Sequence, residues 1–214
     1  MKYDLHTHTK YSSDGVLEPE NIVKAAKKKG LSGIAITDHD TIRGYLKVKK
    51  YETQDFKVIC GSEISTERGE VIGLFISSEI KSTTFQEVVE EVKEQDGIVV
   101  LPHPFDDVRR TGIYPEKGDI KLIDCVETFN SRCLRQKYND KAAQFAGENG
   151  LSMAAGSDAH FAREVGKAGI ITPQDNIRDA LIKGDLNVFG EKTSIVNLVL
   201  TKMVKTWRTS GWGK

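Results

Sequence analysis

The residue types best able to do chemistry in this 214-residue chain are gathered in a few short clusters. All five histidines fall in them: His6 and His8 in DLHTHT, His39 in TDHDT, His103 in LPHPF and His160 in GSDAH. Each cluster follows an apolar run and brings carboxylates with it. Imidazole with carboxylate is a common ligand mixture for divalent transition metals. Spending every histidine this way points to one metal site. His6 and His8 are two apart on a strand, so both rings can turn to one face and bind one ion. Asp4 lies on the same side and could orient one of them as an outer acceptor. Asp14, in KYSSDG, sits in a loop able to fold back over the site, or else is a turn aspartate before Gly15. Asp38, His39 and Asp40 are three ionisable groups in a row at a strand end, costly there without a compensating cation. Glu63, in CGSEIS, can bridge two cations, one on each oxygen, whereas Glu67 and Glu70 read as surface glutamates. His103 is held between two prolines. Asp158 and His160 repeat the two-residue spacing.

These clusters must be positioned by the elements that precede them. Short apolar runs at 2–5, 33–37, 57–61, 70–76, 98–102, 122–127, 152–156 and 168–171 read as strands. Helical spacing lies between them. Pro19 opens one helix with Ile22, Val23 and Ala26 inside and Gly30 as its stop. Thr84 and Glu87 form a capping box ahead of Phe85, Val88, Val89 and Val92. Residues 134–148 carry Tyr138, Ala142, Phe145 and Ala146 on one side. Asp175 is expected to cap a short helix bearing Ile177, Leu181 and Ile182. A C-terminal helix over about 195–208 is expected to pack outside the barrel, with a dimer face as the alternative. Alternating strand and helix without a Gly-rich nucleotide fingerprint predicts an α/β chain, one distorted (β/α)7 barrel domain over 1–214. In such barrels chemistry gathers where strands end, and the histidine clusters sit there.

Taken in order, DLHTHT…SSDG, TDHDT, GSE, PHP and GSDAH resemble the motifs of the PHP (polymerase and histidinol phosphatase) family, over residues 2 to about 170. The resemblance implies a distorted seven-stranded barrel with two or three divalent ions, and phosphate-ester hydrolysis. It implies one ion on His6, His8, Glu63 and Asp158, a second on Glu63, His103 and one further ligand, and a third on Asp14, His39 and His160. Many members place a histidine as that further ligand on the sixth strand. Here the matching stretch is DCVETFNSRC. Asn130 is the nearest candidate, and Cys133 is out of strand register.

Clustered dications lower the pKa of bound water, polarise a phosphoryl oxygen and stabilise an in-line displacement. The expected reaction is attack of a metal-activated hydroxide on a small phosphomonoester or on a nucleotide or oligonucleotide phosphate. Glu63, Asp158 and His160 form the expected catalytic set. The ligand mixture suits Mn, Zn or Fe and disfavours Mg. Phosphate also needs fixed cations: Arg109 and Arg110 lie in the long stretch after His103, Arg132 ends the sixth strand run, Arg163 follows His160 and Lys10 follows HTHT. Cys60 and Cys125 read as core, and no thiol has a base beside it, which argues against a thiol nucleophile. With 31 basic and 31 acidic residues the net charge is zero, so no duplex nucleic acid or anionic membrane is expected as partner. No secretory or transmembrane segment is read, and a cytoplasmic location is expected. Two other readings remain open here: an amidohydrolase-type hydrolase, which would bridge its metals with a modified lysine, and a non-catalytic metal-binding barrel.

Overall fold

β1 (Lys2–Thr7) is the strand around which the chain is organised. In the computed structural model, which describes residues 1–109 and 111–210, β1 pairs in parallel with β2 (Gly33–Ile36), and β2 with β3 (Lys57–Thr66). β4 (Gly69–Leu74) folds back on β3 as an antiparallel hairpin and pairs antiparallel with β5 (Ile98–Leu101). β6 (Cys125–Asn130) and β7 (Ser152–Gly156) restore the parallel direction. The far edge then curls back to the first strand: Asp158 N donates to His6 O at 2.7 Å and His8 N to Ala159 O at 2.9 Å. Seven strands thus form the nearly closed, distorted barrel expected from the sequence. The distortion is at β4, where a hairpin replaces a strand–helix–strand crossover. β8 (Ala168–Ile171) runs antiparallel along the start of β1, and β9 (Asn187–Gly190) pairs with β8 outside the barrel.

The helices follow the local signals. α1 (Pro19–Lys28) has Pro19 in its first turn and buries Ile22, Val23 and Ala26. α2 (Arg43–Val48) and the 3-10 turn Lys49–Tyr51 lie between β2 and β3, a stretch with too little apolar periodicity to be read as helix. α3 (Phe85–Glu94) is capped by Thr84 as the capping box predicts. α4 (Gln136–Asn149) ends on left-handed Gly150. The cap of α5 (Ile177–Lys183) is Asn176, not Asp175; its side chain accepts from the Arg178 and Asp179 amides. The lumen is packed rather than open. One buried cluster takes Leu5, Ala35, Ile59, Ile72, Val100, Cys125 and Ala154, one from each barrel strand.

α6 (Ile195–Thr209) lies elsewhere than expected. It lines the mouth of the barrel above the strand ends with Leu198, Thr201, Lys202 and Lys205. Both its ends are tied to loops that leave the strand ends. Arg163 Nε donates to Asn197 Oδ1 at 2.7 Å, and Arg208 Nη1 donates to the Ser12 carbonyl at 2.8 Å. Its entry is fixed by a buried ion pair. Arg132 Nη1 lies 3.0 Å from Glu164 Oε1, and the Thr193 hydroxyl donates to that same oxygen at 2.7 Å. Ile195, Val196, Val199, Met203 and Trp207 face outward and are exposed.

The seam between β7 and β1 sets the first expected outcome. A Cβ on Gly156 would stand 2.7 Å from the His6 nitrogen and 2.9 Å from its Cα. Gly156→Val should therefore lower unfolding stability by about 1–3 kcal/mol or more, because the neighbour is backbone and cannot give way. Urea denaturation checks this, and wild-type stability would contradict the close approach. For the α6 anchor, Arg132→Ala should cost about 3–5 kcal/mol by leaving Glu164 buried and unpaired, while the double variant Arg132→Met/Glu164→Leu recovers much of it. A single variant with unchanged stability but raised KM would return Arg132 to the substrate.

Candidate metal centre

The end of β1 and the segments leaving β2, β5 and β7 deliver all five imidazoles to one place. His6 Nε2 and His8 Nε2 stand 3.1 Å apart. Glu63, on β3, sits at the middle. Its Oε2 is 3.3 Å from His6 Nε2, from His8 Nε2 and from His39 Nδ1, and its Oε1 is 2.9 Å from His103 Nε2. Asp158 Oδ1 is 3.3 Å from His8 Nε2 and 3.8 Å from His6 Nε2. On the far side of His8, Asp14 Oδ1 is 3.1 Å from His160 Nε2, and Asp14 Oδ2 is 3.4 Å from His39 Nε2. The Asp14 loop does fold back over the site.

These groups are nearly all withdrawn from water, and each answers to its neighbours' charge. Burial pulls the His6 ring down, but Glu63, Glu127 and Asp158 outweigh it and hold the ring well above the usual imidazole value. His39 is likewise disfavoured by burial yet raised to about 10, chiefly by Glu63 and Asp14. His8 is pushed the other way, to about 3, by burial and by the charge of His160. Burial would raise the carboxyls of Glu63, Asp158 and Asp14. His6 and His39 pull Glu63 well below the carboxylate range, Arg109 and His6 do so for Asp158, and His160 for Asp14. The cluster is therefore a set of anions balanced by whatever positive charge enters among them.

A second layer of buried acids aims the ligands, and it differs from the sequence reading. Asp4 orients no histidine ring. It accepts from Ser157 N and Oγ, Gly166 N and His6 N, tying β1 to the turn after β7. The ring of His6 is held instead by Glu127, whose Oε1 is 2.9 Å from His6 Nδ1 and whose Oε2 accepts from the His103 amide at 2.8 Å. The sequence signal for Glu127 was its place two residues from core Cys125 on β6, which turns it inward. Asp38 accepts from Thr9 N and Oγ1, and Asp40 from Ser65 N, so in TDHDT only His39 faces the site. Ser12 Oγ donates to Asp14 and accepts from His39 N.

The expected second-site ligand is corrected too. Asn130 Oδ1 accepts from Arg132 N at 2.8 Å and Arg109 Nη2 at 3.1 Å, while Nδ2 donates to Glu127 and Asp158. Both lone pairs and both amide protons are committed. Cys133 is buried, and burial pushes its thiol up, as it pushes Cys60 and Cys125 to about 12. Glu70, read as surface, is buried inside the cluster. Its Oε2 is 3.5 Å from His103 Nε2 and its Oε1 3.7 Å from His39 Nδ1. It shares a β4 face with the lumen residue Ile72.

The cations expected to grip phosphate are mostly committed elsewhere. Arg109 does reach the site, but its Nη1 donates to Asp158 Oδ2 at 2.5 Å. Arg132 is locked to Glu164, Arg163 bonds Asn197 away from the cavity, and Lys10 pairs with Glu18 at 2.8 Å on the surface. Arg110 lies outside the described residues. The cavity over the cluster, of about 350 Å³, takes lysines from a segment not suspected: Lys202 and Lys205 of α6.

Divalent ions fit this donor set. Among the described residues, three groups each bring their ligand atoms within 4.8 Å of one another: His8, Asp14, His39 and His160; His6, His8 and Asp158; and His39, Glu63 and Glu70. Two donors bound to one ion at about 2.1 Å lie roughly 3.0–3.5 Å apart at octahedral or tetrahedral angles, the range found around Glu63.

Comparison with known proteins agrees with this geometry. Residues 4–161 match the family model described as the PHP domain. An uncharacterized protein of Methanocaldococcus jannaschii is 45% identical over 143 residues, covering 61% of this chain and 82% of its own length. A second from that organism is 36% identical over 220 residues, covering 98% and 88%. A two-domain protein of Bacteroides vulgatus, containing a predicted PHP-like metal-dependent phosphoesterase, superposes with a TM-score of 0.74 at 21% identity, over 95% of this chain and 69% of that one. An amidohydrolase of Chromobacterium violaceum, with sulfate and no metal, gives a TM-score of 0.66 at 16% identity, over 87% and 98%. At such identities the two solved structures speak to the fold, while a family model matched across most of the chain speaks to descent: the chain belongs to the PHP domain family.

Proposed function

We propose that this protein is a metal-dependent phosphoesterase that hydrolyses a small phosphomonoester or the phosphate of a nucleotide or short oligonucleotide. The observation that carries the reading is the convergence of Asp14, His39, Glu63, Asp158 and His160 on one cavity whose rim bears lysines, with His6 and His8 packed against them. His6, His8, Glu63 and Asp158 would hold one ion, and Asp14, His39 and His160 another. Bound ions would supply Lewis acidity and an activated water at neutral pH. The chain's own residues do the rest. Glu63 fixes the spacing of the cluster from its centre. Glu127 and Asp38 keep the strand ends still, the first through the His6 ring and the second through Thr9. Lys202 and Lys205 give the open side of a strongly acidic site a positive rim, which favours an anionic substrate. Val108, Leu134 and Leu198 form an apolar wall beside them, able to take the organic part of the ester.

An amidohydrolase reaction is the competing reading, because the barrel architecture is shared. The carboxylate at the centre of the cluster here is a glutamate, and among the described residues no lysine is buried. Net charge zero disfavours duplex nucleic acid, whose binding is dominated by phosphate neutralisation.

With Mn, Zn or Fe supplied, phosphate release is expected from aryl phosphates or nucleotides, and no hydrolysis of lactones or amides. His8→Ala and Asp158→Ala should each lower kcat at least about 100-fold, more than loss of an outer partner of a metal typically costs, with circular dichroism unchanged. Lys202→Ala should mainly raise KM. Wild-type turnover in both ligand variants, or activity confined to amides and lactones, would overturn the reading.

A further inference from the structure

We infer that Glu70 completes the ion site between Glu63 and His103, where Asn130 on the sixth strand has no lone pair to offer. The inference rests on the metal-dependent reading above and concerns how this chain meets its ligand count.

On β6, Asn130 is spent. Its oxygen receives the Arg109 guanidinium and the Arg132 amide, and its nitrogen serves Glu127 and Asp158. No lone pair is left for an ion. His103 Nε2 and Glu63 Oε1 face each other at 2.9 Å, a two-donor start that a divalent ion needs extended. A further donor comes off the hairpin. Glu70 Oε2 lies 3.5 Å from His103 Nε2, and its Oε1 lies 3.7 Å from His39 Nδ1. The 2.9 and 3.5 Å separations around His103 suit donors sharing an ion, and His39 Nδ1, 3.3 Å from Glu63 Oε2, flanks them.

The placement of Glu70 is built, not incidental. Ser65 and Glu70 are register partners in the β3–β4 hairpin, and the Glu70 amide donates to Thr111 O at 2.9 Å. The long loop after His103 thus clamps the strand that carries the carboxylate. Gly69 before it, at φ +137°, would bring a Cβ to 2.8 Å from Ile113 Cγ1, so that loop packs directly on the glycine. The antiparallel β4, which departs from a regular strand–helix barrel, is what brings a side chain from this direction into the cage. A carboxylate here adds negative charge that a dication rewards, whereas the neutral Asn130 amide is a weaker ligand even when free. Arg109 complements the change: its guanidinium holds Asn130 and the outer oxygen of Asp158, closing the side from which a strand-six ligand would have come.

The test counts ions. Apo wild type, Glu70→Gln, Glu70→His and Asn130→Ala are titrated with Mn(II) alone and with Zn(II) alone, by calorimetry and by metal analysis after dialysis. Thermal unfolding of each apo protein is recorded alongside. Glu70→Gln keeps the side-chain volume and removes a buried charge, so its apo melting temperature should be no lower than that of wild type. It should hold one ion fewer per chain, or bind its weakest ion at least 10-fold less tightly. Glu70→His should restore the count, and Asn130→Ala should keep the wild-type count. Equal stoichiometry and affinity in Glu70→Gln and wild type would overturn the assignment, as would loss of an ion in Asn130→Ala with retention in Glu70→Gln. Absence of bound ions in the wild type itself would instead bring down the metal-dependent reading on which the assignment stands.

Discussion

Five imidazoles and four carboxylates are withdrawn from water at one end of a barrel, and that is the constraint on which the rest depends. A buried charge without a partner costs several kcal/mol. Glu63, Glu70, Asp14 and Asp158 are therefore tolerable only because positive charge stands among them, from His6, His39 and Arg109 in the chain itself and from dications where these bind. Folding and metal binding draw on the same groups. The electrostatics that disfavour the empty cage are those that would hold an ion in it.

Keeping such a cage rigid falls to a surrounding layer of acids that never face an ion. Asp4 staples β1 to the turn after β7, Asp38 staples the end of β2 to Thr9, Glu127 holds both His6 and the His103 backbone, and Glu164 receives Arg132, Thr193 and the His160 amide. Burial raises Asp4 and Asp38 to about 6, opposed by the hydrogen bonds from Ser157 and Thr9 respectively. These carboxyls replace backbone pairing at the one place where barrel strands end and ordinary ladders stop.

Much of this was legible in the chain because the relevant signals are local. HxH and DxH read directly as side chains on one face, and an apolar run before each cluster placed it at a strand end. The capping box at Thr84 and proline at the start of α1 fixed helix starts within a turn. What was not legible depended on partners distant in sequence. Glu70 and Glu67 look alike as letters, and only the β3–β4 register, which puts Glu70 beside lumen-facing Ile72, separates a ligand candidate from a capping acid that bonds Phe85 N. Arg109, Arg132 and Arg163 read alike as phosphate cations, but each has an acceptor supplied by another segment. Asn130 had the right address for a ligand, and its unavailability follows from two arginine-bearing segments converging on it. α6 carries its apolar stripe outward, so its amphipathic periodicity did not reveal that its polar face lines the barrel mouth.

The position of α6 follows from the same charge logic as the cage. With Arg109 and Arg132 consumed inside, neither guanidinium is left to face the cavity mouth. A positive rim has to come from an element outside the barrel, and the C-terminal helix, crossing the mouth from Asn197 to Arg208, supplies Lys202 and Lys205 there. Its anchors are hydrogen bonds and one buried ion pair at its entry rather than a packed apolar face. The strand ends set which ions the protein can hold. A helix beyond residues 4–161, the span matched by the family model, lines the cavity above them.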